Sequence, residues 1–227
     1  MEEAIQIDSV SKTFAGHKVL DNVSLTVETG KTIGIVGGNG SGKSVLFKII
    51  CGFEVPDSGH VIIRGKELGK EIDFPENVGV FINAPGYIEL YSGFKNLQYL
   101  AAINRKISDT QIRNTMQLVG LNPENKTKVK DYSLGMKQKL GIAQAIMENQ
   151  DILILDEPFN ALDYKTYQDI KEIIKSLQEA NRTILLTSHH FEDIEELCDE
   201  VFVISEGELV LLTDEKKHLF FQRSRNV

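Results

Sequence analysis

The feature that most limits what this chain can become is the octapeptide GGNGSGKS at residues 37–44. It follows an apolar stretch, Thr32 to Val36, and runs into Lys43 to Ile50, whose apolar residues recur at helical spacing. Strand, glycine-rich turn and helix form the context in which G-x-x-x-x-G-K-[ST] has a physical meaning. Glycines let the backbone curl so that successive N–H groups converge on phosphate oxygens, and the helix N-terminus adds about half a positive charge. Lys43 is then placed to reach the β- and γ-phosphates, and the Ser44 hydroxyl to ligate Mg²⁺. A glycine-rich turn without a ligand is the plainer reading, but eight matching positions in the right context weigh against it.

The rest of the chain reads as α/β. Ala4–Ser9, Val23–Val27 and His60–Arg64 alternate like strands of a β region at the N-terminal end. From about Phe94 to Asn149 the pattern turns helical: Ser108 with Gln111 forms a capping box, and another helix is expected from Ser133 towards Met147. Ile152–Leu155 and Thr183–Leu186 are short, wholly apolar runs joined by a helical stretch, Tyr164–Ala180. Such runs with a crossover helix indicate strands buried on both faces of a parallel sheet. Val201–Ser205 and Glu208–Leu212 read as a hairpin about Glu206-Gly207, and a short helix is expected from Asp214 on. The expected architecture is one domain over residues 1–227: an α/β core of 1–83 and 150–212 with a mostly parallel central sheet and an N-terminal antiparallel β region, an inserted α-helical subdomain of about 84–149, and a tail of 213–227.

Composition narrows the partners. A chain of 227 residues, 41% hydrophobic and 26% charged, is an ordinary globular sequence, so disorder and disulfide scaffolds are excluded. The formal net charge of −8, with only short basic patches near Lys126–Lys130 and Lys137–Lys139, argues against nucleic acid and against anionic lipid as general partners. Cys51 and Cys198 are too few for a zinc site and sit among apolar neighbours, as buried thiols in a reducing compartment would. The acidic start MEEAIQI and the lack of an apolar run of about 18 residues make a cytosolic location the expectation.

A second constellation carries chemistry. In DILILDEP, Asp151 to Pro158, an apolar strand ends in Asp156 and Glu157, which places both carboxylates at the carboxyl edge of the sheet, where open α/β folds bind ligands. Asp156 suits a Mg²⁺ shell, and Glu157 can orient and deprotonate a water attacking the γ-phosphate. Together with YSLGMKQKL between the two motifs, the chain resembles an ATP-binding-cassette ATPase, of the P-loop NTPase fold, from about Ile5 to Leu212. The resemblance implies ATP and Mg²⁺ as cofactors, with ATP held by Gly37, Gly38, Asn39, Gly40, Ser41, Gly42, Lys43, Ser44 and Val45. It implies catalytic roles for Lys43, Glu157 and His189, the last at the end of the strand leading to TSHH, and leaves His190 without one. Ser133 and Gly135, in the signature segment Ser133–Met136, would complete the ATP site of a partner subunit; by themselves they read equally as a helix start. Phe14 matches the aromatic that stacks on adenine, with an ordinary core Phe as the alternative. Asp163, ending FNALD, matches a dimer-contact loop and also reads as a helix N-cap. The metal shell would be Ser44, Asp156 and Asn83, the last standing where the family generally has Gln and one methylene shorter.

What the resemblance implies for function is an ATP-hydrolysing subunit of an ABC transporter. It would pair with a second ATPase subunit, identical or related, and drive a separately encoded membrane permease on the inner face of the cell membrane. The form of the signature is similar to bacterial export ATPases of bacitracin, lantibiotic and multidrug type, so an exporter is expected, with the permease docking on the helical lobe around Tyr87 to Phe94. The alternative is the same engine driving a membrane sensor or mechanotransmission complex. DNA-repair and translation ATPases of this superfamily are disfavoured, because the chain has neither a coiled-coil insertion nor two cassettes with a basic linker.

Overall fold

Ten strands and six helices are defined in the computed structural model, which describes residues 2–82, 86–188 and 191–213. In chain order they begin with β1 (Glu3–Phe14), β2 (His17–Glu28), β3 (Thr32–Val36), α1 (Lys43–Ile50), β4 (Ser58–Ile63) and β5 (Lys66–Glu67). Then come β6 (Val78–Phe81), α2 (Gly93–Asn104), α3 (Asp109–Leu118), α4 (Leu134–Ile146), β7 (Ile152–Leu155) and α5 (Tyr164–Glu179). The last are β8 (Thr183–Thr187), α6 (Phe191–Leu197), β9 (Glu200–Ser205) and β10 (Glu208–Leu211). They divide into two compact units, Met1–Glu76 with Thr183–Val227, and Asn77–Arg182.

The first unit holds an antiparallel sheet in the order β2-β1-β4-β5 and, apart from it, the strands β10-β9-β3-β8. β3 is buried at all five positions and runs parallel to β8 (Ile33 beside Leu185) and to β9 (Ile35 beside Phe202). Residues without a polar face form such strands because both faces must be covered. α6 lies close on β3: a Cβ at Gly34 would stand 2.7 Å from Ile194 Cγ2 and 2.9 Å from Cys198 Sγ. The expected hairpin at the end is present, β10 pairing antiparallel with β9 across Glu206 and Gly207 at φ 51° and 85°. β1 and β2 are longer than the alternation predicts, because a tight turn at Ala15-Gly16 (φ 48° and 82°) joins them directly and their bulges break the period of two. Both cysteines are free; burial pushes the Cys51 thiol up to about 12, and burial with the nearby Asp199 and Asp193 charges raises that of Cys198.

In the second unit β6 and β7 run parallel, Phe81 beside Leu155, so the two strands end level. α4 presses its backbone onto β6 at Gly79, where a Cβ would collide with the Ala145 carbonyl oxygen. A Gly79→Ala variant should therefore lose about 3 kcal/mol, since backbone cannot step aside as a side chain can. Thermal unfolding should show a midpoint lower by roughly 6–12 °C, and an unchanged midpoint would refute the close approach. The capping box read at Ser108 and Gln111 is formed, and Ser92, Ser133 and Asp163 cap α2, α4 and α5. The fold class is as expected: α/β, with an antiparallel sheet, mostly parallel strands and a helical stretch between β6 and β7. The tail helix expected from Asp214 lies outside the described residues.

Candidate functional site

The octapeptide forms an open loop from the buried end of β3 to the first turn of α1, with Gly38, Asn39 and Gly40 exposed. Gly37 is fixed by packing, since a Cβ there would lie 2.5 Å from the Ile204 carbonyl oxygen and 2.7 Å from Ser41 Oγ. Gly42 sits at φ 108°, which only glycine adopts without strain. Gly38 and Gly40 have empty space where a Cβ would point, so at Gly38, whose φ is not positive, no packing demands a glycine. What the glycines at 38 and 40 leave open is the solvent side of the loop, where a ligand could approach the backbone.

Further features of the loop suit it chemically to an anion. Among helices α1 to α5, α1 is the one without a side-chain N-cap, and like α2, α4 and α5 it has no acid in its first turn. The helix therefore brings no capping side chain and no first-turn carboxylate of its own to the positive end of its dipole. The Ser41 hydroxyl is buried and has no hydrogen-bond partner, a deficit that a phosphate oxygen would remove. Lys43, 5% exposed, folds its ammonium back over the loop, donating to the Gly37 and Gly38 carbonyl oxygens at 2.7 and 3.0 Å. Ser44 and Val45 follow in the first turn of α1, half-buried.

In the second unit Asp156 and Glu157 directly follow β7, and the Asp156 amide donates to the Phe81 carbonyl at 2.7 Å, which holds it level with the end of β6. Asp156 is 7% exposed. Glu157 adopts φ 52°, an uncommon backbone state for a residue with a side chain, and its carbonyl accepts from Asn160 N–H at 3.2 Å. Strain of this kind, of order 1–3 kcal/mol, persists where the surroundings over-determine it and concentrates at functional positions. The loop beyond is tethered by Phe159, buried and ring to ring with Tyr167 at 5.5 Å, and by Asp163. Asp163 is the N-cap of α5: its carboxylate accepts the Thr166 amide at 3.0 Å and the Thr166 hydroxyl at 2.8 Å, which lowers its pKa.

Ser133 likewise opens α4, its Oγ accepting from Met136 N–H at 3.2 Å, while the side chain stays exposed. Gly135 is buried against α5. Phe14 is not a core residue: it ends β1, is 42% exposed and has the Lys12 ammonium 5.1 Å from its ring centroid. Lys12 in turn bridges to Glu54 at 2.7 Å and Asp57 at 3.4 Å. Asn83, His189 and His190 lie outside the described residues; next to the histidines, the Ser188 hydroxyl donates to the fully buried Asp193 at 3.2 Å.

The sequence reading missed Lys12, Thr166 and Asp193. The D-x-x-T spacing of a capped helix was the available signal for Thr166, and the lysine two residues before Phe14 on one strand face was that for Lys12. Among the described residues no three His, Cys, Asp or Glu side chains gather as a metal cage. The Ser44 hydroxyl and the Asp156 carboxylate are single oxygen donors of the kind Mg²⁺ takes from protein alongside phosphate and water.

Comparison with known proteins follows the same lines. A family model described as ABC transporter matches residues 20–160. The uncharacterized ABC transporter ATP-binding protein YybJ of Bacillus subtilis (strain 168) is 42% identical over 205 residues, 90% of this chain and 94% of that protein. The bacitracin transport ATP-binding protein BcrA of Enterococcus faecalis is 36% identical over 212 residues, 92% of this chain and 69% of that protein. In structure the chain is similar to MJ0796, a bacterial ABC transporter cassette solved as a dimer, with a TM-score of 0.81 at 23% identity, covering 90% of this chain and 96% of that one.

Proposed function

Starting from the fact that this chain belongs to the ABC transporter family, as an ATP-binding subunit, we propose that it hydrolyses ATP as one half of a dimer and thereby drives a separate membrane permease, most simply an exporter. The observation that carries this reading is the phosphate loop. A helix start without a side-chain cap, a solvent side left clear of side chains, a buried Ser41 hydroxyl without a partner and a lysine folded over the loop suit it to a polyphosphate. Lys43 would exchange the neutral carbonyl oxygens of Gly37 and Gly38 for anionic β- and γ-phosphate oxygens, a gain because donor and acceptor are then both charged. Residues 37–45 would hold the triphosphate and Phe14 the adenine.

Ser44 and Asp156, with Asn83, would hold Mg²⁺, which supplies neutralisation of charge on the phosphates when bound. Glu157 would take the proton of the attacking water, with His189 positioning that water and the γ-phosphate. Ser133 and Gly135 would close the site of the partner subunit, and Asp163 would touch that partner. The working unit in this reading is a single ATPase domain over residues 1–227, placed at the cytoplasmic membrane face by its permease. Export is favoured by likeness to BcrA, whose name ties it to bacitracin transport.

The permease contact is assigned to the segment 87–94. Tyr87 itself turns inward, its hydroxyl donating to the Lys137 carbonyl at 2.8 Å, whereas Leu90 and Tyr91 are 63% and 41% exposed. A Leu90→Asp/Tyr91→Asp double variant should bind ATP normally yet lose co-purification with the membrane subunit after mild cross-linking. Retained co-purification would move the docking site elsewhere. The nucleotide half of the proposal is tested by mixing the folded chain with magnesium and labelled ATP, and failure to retain nucleotide would end it.

A further inference from the structure

Two segments given separate tasks above, the start of α4 at Ser133–Gly135 and the loop 159–163, meet in the second unit on a single side chain. Thr166, half-buried in the first turn of α5, gives both its amide and its hydroxyl to the two oxygens of Asp163, at 3.0 and 2.8 Å. The same side chain stands over Gly135, where an added Cβ would lie 2.6 Å from Thr166 Cγ2 and 2.8 Å from its Oγ1. One turn further along both helices, Lys139 and Asp169 form an ion pair at 2.7 Å, so the helices are fastened at two successive levels. The other end of the loop is anchored as well, Phe159 lying ring to ring with Tyr167, the neighbour of Thr166.

We infer that Thr166 is a positioning residue: through its hydroxyl it fixes the Asp163 carboxylate, and through its contact with Gly135 it makes the loop 159–163 and the start of α4 one rigid piece presented to the partner subunit. The inference rests on the function proposed above and adds a residue to it. Its physical content is that neither segment can shift without the other. A displaced Asp163 must break a two-point cap of α5, in which the Thr166 amide bond is the leading cause of the lowered carboxyl pKa. A displaced Gly135 must pass a branched side chain already touching its backbone. The chemistry at each ATP would thereby feel the arrangement of both segments at once.

Two variants of the full chain test it. Thr166→Val keeps the shape and the amide but removes the hydroxyl; Thr166→Ser keeps the hydroxyl. In Thr166→Val the Asp163 carboxyl, followed by NMR, should titrate at higher pH than in the wild type. ATP affinity of the isolated chain should be unchanged, and kcat should fall about tenfold, the worth of one hydrogen bond to a charged group. Thr166→Ser should restore kcat to within twofold and the carboxyl titration to the wild-type position. An unmoved Asp163 titration in Thr166→Val overturns the inference, as does a kcat within twofold of wild type or an equal loss in Thr166→Ser. If the wild-type chain neither binds nor hydrolyses ATP, the function above fails, while the carboxyl titration still decides the role of Thr166.

Discussion

Glu157→Gln is expected to abolish steady-state phosphate release while leaving ATP bound, so that an ATP-loaded dimer accumulates on gel filtration. The replacement preserves side-chain volume and hydrogen-bonding reach, and exchanges only a carboxylate that can accept a proton for an amide that cannot. Removing a general base costs about 10²–10⁴ in rate. The backbone at this residue is already in the left-handed region, at φ 52°, and glutamine meets the same steric cost there as glutamate, so the variant adds no backbone strain. Hydrolysis at the wild-type rate would remove Glu157 from the role of base. A variant that neither turned over nor bound ATP would instead point to a structural role for the strained turn.

Lys43→Ala should weaken ATP binding by about 10–100-fold, measured by isothermal titration calorimetry with magnesium present. The estimate takes about 1.5–3 kcal/mol for a charged hydrogen-bonding partner and converts it at 1.4 kcal/mol per factor of ten. The ammonium donates to the Gly37 and Gly38 carbonyl oxygens. Its loss leaves those acceptors on an exposed or half-exposed loop, where water can replace it, and the fold should persist by circular dichroism. Lys43→Arg is not a mild control: the planar guanidinium is larger and directional, and the ammonium it would replace is only 5% exposed. Unchanged affinity in Lys43→Ala would mean that the loop does not hold the nucleotide through this residue.

How far the fold could be read in advance varies with the range of the interactions that set each part. The glycine-rich turn between β3 and α1, the capping box at Ser108 and the hairpin at Glu206-Gly207 are local patterns, each fixed by residues within a few positions, and all were legible. β3 and β7 were legible because burial on both faces leaves an uninterrupted apolar run. The full length of β1 was not, since its outer half is held by bulged pairing with β2 and β4, and bulges erase the alternation that identifies a strand. α6 has only seven residues and was also missed; what holds it is its close approach to Gly34, a contact with a distant strand. The candidate site divides in the same way. Ser133 and Asp163 could be seen as helix starts, but the single side chain that connects them could not, because Thr166 and Gly135 are 31 positions apart and meet only through the packing of α4 on α5.

The two native thiols have a practical consequence for following this engine at work. Burial pushes the pKa of Cys51 up to about 12, so it holds little thiolate at neutral pH, and Cys198 is shifted in the same direction by burial and adjacent carboxylates. Alkylating dyes and spin labels attack the ionised form, so both sulfurs are expected to react slowly with them. A cysteine placed at an exposed position such as Leu134 or Tyr91 would then react selectively in the otherwise unaltered chain. Distance measurements between labelled copies would then test whether two of them approach one another when ATP is added, without first stripping the natural cysteines out.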